Sequence, residues 1–167
     1  MNDTTRHTRV PTVLGDLLLV ASGDALVGCY FPGHWRPPAA DALGREVSIT
    51  DPVFAAASEQ LVDYLDGRRT EFDLPLKTSG DEFSERVWAV LRDIAYGETT
   101  SYGRIAHQLG ARELAQLVGR AVGDNPLSVF IPCHRVVGAD GALTGYAGGL
   151  TRKRHLLDLE SAYARLF

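Results

Sequence analysis

Cysteine is scarce in this chain, two in 167 residues, and one of the two sits in Pro132-Cys133-His134-Arg135. A thiol beside an imidazole is a nucleophile beside a base. An unperturbed cysteine, with a pKa of about 8.5, is only a few per cent thiolate at neutral pH, so a working Cys133 needs a base or a positive field. His134 is adjacent, but neighbouring side chains on an extended strand point to opposite faces. Contact therefore requires a turn at Pro132-Cys133 or a bridging water. A third group should orient the imidazole. Leu156, Glu160 and Tyr163 fall at i, i+4 and i+7 in a C-terminal helical stretch, which puts the Glu160 carboxylate in an otherwise apolar stripe where it needs a partner. The alternative is an exposed glutamate near a helix end. A Cys-His-Glu relay is permitted by these residues.

Elements must deliver these groups. The apolar run Leu127 to Ile131 reads as a short buried strand leading into the Cys-His pair. Before it, Ser101 caps a short helix closed by Gly110, and a second helix spans about Arg112 to Val122. Two short helices around a glycine turn resemble a helix-turn-helix unit. The second helix carries Gly119 and Ala121, small residues that suit close approach of another surface or close helix packing. Phe83, Val87, Leu91 and Ile94 recur at helical spacing and end near Gly97. After the Cys-His pair, Arg135 to Val137 should turn at Asp140-Gly141 into Ala142 to Thr144. Gly145 to Gly149 forms a glycine-rich loop without phosphate-loop context, and a helix begins near Thr151.

The first half carries no convergent polar cluster. A frayed start precedes strands at Leu17 to Val20 and Ala25 to Phe31, then a loop from Pro32 to Arg45. Asp51-Pro52 announces a helix through Phe54, Leu61 and Leu65 that stops at Gly67. Phe72 to Leu76 reads as a proline-limited strand. The boundary falls at Thr78-Ser79-Gly80, giving residues 1–79 as an α/β scaffold domain and 80–167 as a mainly helical second domain. Cys29 and Trp88 read as packing residues, and so does Trp35. Cys29 with His34 supplies only two potential zinc ligands, so no metal is expected.

Hydrophobic residues at 45% and charged residues at 23% are ordinary for a soluble globular protein. No window is apolar enough to span a membrane, and the polar Met1 to Pro11 lacks a signal core, so a cytoplasmic protein is expected. The net charge of −4 is uneven: eleven acidic residues face seven Lys and Arg up to Ser79, and ten face ten beyond it. Arg112, Arg120, Arg135 and Arg152-Lys153-Arg154 leave room for a local basic face, and exclude a strongly basic domain.

Ile131-Pro132-Cys133-His134-Arg135-Val136 resembles the active-site motif of the O6-alkylguanine-DNA alkyltransferases. Tyr96-Gly97-Glu98-Thr99, Ser101-Tyr102, Val118-Gly119, Asn125-Pro126, Gly145-Tyr146-Ala147-Gly148-Gly149 and Leu156-Leu157-Asp158-Leu159-Glu160 follow as landmarks in family order. The resemblance covers the second half, and reaches the first only in size and strand-helix character. It implies a ribonuclease H-like α/β domain followed by a winged helix-turn-helix domain. It further implies irreversible transfer of an alkyl group from O6 of guanine, and possible action on O4-alkylthymine, with Cys133 as acceptor and no cofactor.

By the same resemblance His134 acts through a water with Glu160 behind it, Asn125 fixes the turn, and Tyr102 aids base extrusion. Tyr102, Gly103, Gln116, Gly119, Ala121, Val122 and Arg135 contact double-stranded DNA through its minor groove, while Val136, Tyr146, Ala147 and Gly148 line the alkylguanine pocket. The protein would be a monomer in solution, with clustering on DNA left open. Two departures stand out. Gln116 occupies the place of the family's intercalating arginine, which should weaken capture of a flipped base, and Ala95 replaces a proline. Rival readings are a lesion-binding protein that flips alkylguanine without transfer, and a Cys-His hydrolase.

Overall fold

Strand β1, Thr5–Thr12, lies where a frayed end was expected. Its sequence is polar, with only Thr8 and Val10 buried, so no apolar run announces it. Backbone pairing holds it instead: it runs antiparallel to β2, Gly15–Ser22, in unbroken register from Thr5 opposite Ser22 to Thr12 opposite Gly15. Gly15 takes φ +107° in the connecting turn, a conformation that side chains resist. Strand β3, Ala25–Tyr30, continues the sheet antiparallel to β2, with a register shift at Val20/Ala21. The segment 32–45 is more than a loop. It carries a 3-10 turn at Ala40–Ala42 and leads into β4, Arg45–Glu46, which pairs parallel to β1 and completes the order β3-β2-β1-β4.

The computed structural model describes residues 4–110 and 112–166, and side chains as far as residue 162; the Tyr163 side chain, assigned above to the stripe of the last helix, lies outside them. Helix α1, Pro52–Leu65, starts as expected: Asp51 accepts from the Val53 N–H at 3.1 Å and pairs with Arg6 at 2.6 Å. Its buried side chains Phe54, Ala57, Leu61, Tyr64 and Leu65 follow helical spacing. Phe72 to Leu76 forms no strand. Only Leu26 and Leu76 bridge, flanked by Leu26 N–H to Pro75 O and Lys77 N–H to Leu26 O, because Pro75 has no donor for a longer ladder.

Helix α2, Glu82–Arg92, is capped by Asp81 and buries Val87, Trp88 and Leu91. Helix α3, Tyr102–Gln108, is capped by Ser101. The predicted 112–122 helix divides into a 3-10 turn at Arg112–Leu114 and helix α4, Ala115–Gly123. Strands β5, Thr100–Ser101, and β6, Val136–Val137, pair in parallel. The turn after β6 closes with Gly138 N–H on Ala142 O, but 142–144 form no return strand. Helix α5 is Leu150–Leu166. One apolar cluster runs through both halves, joining Leu17 and Phe54 to Leu91, Ile105 and Leu156. No helix among the described residues is long and apolar enough to cross a membrane.

Candidate active site

Leu127 to Ile131 is buried, as an apolar run should be, but it is a turn and not a strand. Leu127 makes one bridge to Cys29, and the chain then folds back so that Ile131 N–H donates to Leu127 O at 2.8 Å. Asn125 forces this course. Its amide Nδ2 donates to Ile131 O at 2.9 Å while its Oδ1 accepts from Leu127 N–H at 3.0 Å, closing the loop from inside. Val129 takes φ +73°, a costly state for a β-branched residue that only such bracing maintains.

The turn continues through a 3-10 segment at Cys133–Arg135, where Cys133 N–H donates to Ile131 O at 2.7 Å and Arg135 N–H to Pro132 O at 3.1 Å. This supplies the turn that a Cys-His pair needs. Cys133, 5% exposed, opens onto a cavity of about 380 Å³. His134 and Arg135 turn instead toward Glu160. The imidazole Nε2 lies 2.8 Å from Glu160 Oε2, and Arg135 donates through Nε at 2.8 Å and Nη2 at 2.9 Å to the two carboxylate oxygens. Gly97 N–H adds a long contact at 3.4 Å, Tyr64 donates its hydroxyl to Oε2, and Arg135 Nη1 reaches Ile94 O at 2.6 Å.

These surroundings set the protonation states. Burial would raise Glu160, but hydrogen bonds from His134 and Arg135 outweigh it and bring the carboxyl down to about 2. Burial pushes His134 below its ordinary value; the Glu160 carboxylate pulls the other way, while Arg135 and Lys153 add to the lowering. The imidazole is thus neutral near pH 7, with Nε2–H donated to Glu160. Burial also raises Cys133, opposed by the Asn125 amide, the Lys153 ammonium and the Tyr146 hydroxyl. Lys153 is itself buried, with Nζ donating to Val136 O at 2.6 Å and Thr144 O at 2.9 Å. Among the described residues no group of three or more His, Cys, Asp or Glu side chains could hold a metal ion.

Residues 5–78 match the family model for the 6-O-methylguanine DNA methyltransferase ribonuclease-like domain, and residues 82–162 that for the DNA binding domain of the same enzymes. The methylated-DNA–protein-cysteine methyltransferase of Mycobacterium tuberculosis H37Rv is 43% identical over 167 residues, covering 95% of this chain and 93% of its own. The chain belongs to this methyltransferase family. The constitutive methylated-DNA–protein-cysteine methyltransferase of Bacillus subtilis is 36% identical over 159 residues, covering 92% and 94%. Mycobacterium tuberculosis OGT, solved in complex with DNA, superimposes with a TM-score of 0.86 at 40% identity, covering 95% of this chain and 94% of that one. The fold is accordingly a ribonuclease-like sheet domain followed by a helical DNA-binding domain.

Within this methyltransferase the expected site residues divide. Asn125, Cys133, Tyr102, Tyr146 and Ala147 meet at the cavity, and Gln116, Gly119 and Val122 of α4 border it. Glu160 stands behind His134. Other assignments need correction. Arg135 is 7% exposed and bound by Glu160, so it is not a DNA-surface arginine. Ala121 packs in the core, where its carbonyl accepts from Trp88 Nε1 at 2.8 Å. Val136 is fully buried beside Thr100 and does not line the cavity. Gly148 lies outside the cavity lining, where a Cβ would run into the Phe31 ring. Gly103 is exposed at the start of α3, with open space over it.

The run 152–154 is not a basic face either. Lys153 is buried, and Arg152 donates to Leu14 O at 2.9 Å, Pro32 O at 2.9 Å and Gly148 O at 3.0 Å. Tyr64, Lys153 and Trp35 take places around the site that the sequence does not assign to them. The first two left a signal, since Tyr64 lies on the core stripe of α1, and Lys153, Leu156 and Glu160 share one stripe of α5. A polar head on such a stripe must find a partner. Trp35, expected to pack, is 49% exposed and borders the cavity.

Proposed function

We propose that this protein repairs DNA by taking the alkyl group of O6-alkylguanine onto Cys133 Sγ, once per molecule. The observation that carries this reading is the placement of Cys133 on the cavity while the next residue's imidazole is locked to Glu160. The thiol gives up its proton to His134, whose Nδ1 has no hydrogen-bond partner among the described residues, through an intervening water. Sγ then forms a bond to the alkyl carbon as the bond from that carbon to O6 breaks, and the electron pair leaves with guanine. Tyr102 faces the same cavity. Its hydroxyl accepts from Thr144 Oγ1 at 3.0 Å, which leaves its own proton to donate to the departing base. The thioether has no easy leaving group, so the protein is consumed. The group transferred arrives with the substrate, and the step balances without a cofactor.

The O6 atom is unreachable inside a duplex, so the nucleotide must be extruded. Helix α4 is the element to enter the minor groove: Gln116, Gly119 and Val122 border the cavity, Arg112 is exposed in the 3-10 turn before it, and Arg120 is exposed within it. The protein acts as a monomer, and O4-alkylthymine is a second candidate lesion. Intact-protein mass after incubation with a duplex containing O6-methylguanine tests the reading. One methyl group gained, and no gain in Cys133→Ala despite retained DNA binding, is the expected result. Tight binding without a mass change would favour a lesion-binding protein, and repeated turnover a hydrolase.

A further inference from the structure

Among the described residues the cavity over Cys133 is built by the second half of the chain, except for Trp35, from the segment after β3. This indole differs from the other tryptophan. Trp88 is 6% exposed and its ring is enclosed by the core, whereas Trp35 is 49% exposed and still held from several directions. Its main-chain N–H donates to Ala147 O at 3.1 Å, and its Nε1 donates to Gly123 O at 3.4 Å. Arg36 lies over the ring, 5.7 Å from its centroid, and pairs with Asp124. Two glycines seat the ring. A Cβ at Gly123 would come 2.8 Å from Trp35 Cζ2, and one at Gly145 3.4 Å from Cζ3. The indole thereby spans from the end of α4 to the glycine-rich loop.

A large aromatic surface left half open to water, yet fixed in place beside a cavity, is prepared for an apolar ligand. Every nucleobase has a face that can stack on it. The single indole N–H is already committed to Gly123, so the ring offers surface and no proton. We infer that Trp35 is a substrate-contacting residue supplied by the N-terminal half, whose indole covers the extruded alkylated base and serves capture of the lesion, not activation of the thiol. The inference rests on the alkyl-transfer reading above.

Single-turnover transfer from an O6-methylguanine duplex, followed over a range of protein concentrations, separates the two roles. Trp35→Ala should raise the half-saturating concentration about tenfold, the size of one lost base-aromatic contact, with the maximal rate little changed; Trp35→Phe should restore most of the loss. Alkylation of Cys133 by iodoacetamide, which needs no base pocket, should not fall below that of the unsubstituted protein. Lesion duplex should quench tryptophan emission more than undamaged duplex does, and Trp35→Phe should remove that excess. Unchanged half-saturation in Trp35→Ala would overturn the inference, as would a parallel fall in maximal rate and iodoacetamide reactivity, the sign of a mere brace. If the unsubstituted protein gained no methyl at all, the alkyl-transfer reading would fail instead.

Discussion

On one side of the Cys133–Arg135 turn a thiol faces an open cavity walled by aromatic and small side chains. On the other, Glu160 accepts from an imidazole, a guanidinium, a phenol and a main-chain N–H in a closed cluster. The open side disfavours charge, so the resting cysteine is a protonated thiol. The closed side concentrates charge, yet leaves its histidine neutral because burial disfavours the imidazolium more than Glu160 favours it, with Arg135 adding to the lowering. The two reacting groups are therefore both uncharged at rest, unlike a preformed thiolate-imidazolium pair. Such a pairing spares the thiol from adventitious electrophiles and places the burden of reactivity on a substrate correctly seated in the cavity.

Breaking the closed side should have the largest effect. Glu160→Gln removes the carboxylate that compensates buried Arg135, and should cost about 3–5 kcal/mol in urea unfolding and about a hundredfold in transfer rate through the misoriented imidazole. An unaltered rate would make the cluster a structural feature only. Tyr64→Phe removes one donor from the same carboxylate and should cost about 1 kcal/mol, with transfer slowed less than about tenfold; a loss as large as that of Glu160→Gln would put Tyr64 at the centre of the cluster. The smallest effect belongs to the open side. Gln116→Arg should speed transfer from duplex DNA about threefold by filling the vacated stack, and should leave single-stranded substrate unaffected, since unstacking costs least there. An equal gain on both substrates would trace the effect to added charge.

How much of this was visible in the sequence depended on distance along the chain. The Cys-His pair and the caps at Asp51 and Ser101 are local patterns, legible on their own; Asn125 and Tyr102 enter only through the family resemblance. Glu160 was legible because a carboxylate on an apolar helix stripe demands a partner. Leu127 to Ile131 reads as a strand because an apolar run looks alike in a strand and in a buried turn; Asn125 and the positive φ of Val129 decide between them only in three dimensions. Strand β1 leaves no pattern in the sequence because its stability comes from pairing with β2 and not from its own side chains. Arg135 and Lys153 read as free charges in the sequence, which cannot tell a solvated cation from one that a distant carboxylate or two carbonyls have claimed. Tyr64 lies 96 residues from its carboxylate partner, beyond the reach of any periodicity.

Arg152 carries a thermodynamic consequence. One guanidinium ties the β1–β2 turn, the segment after β3 and the glycine-rich loop at once, across sequence separations of 138, 120 and 4 residues. With the apolar cluster continuous through both halves, neither half can open without exposing the other's core and stripping those carbonyls of their donor. The chain should therefore melt in a single all-or-none transition rather than half by half, so that damage to the scaffold's stability is felt in full at the thiol.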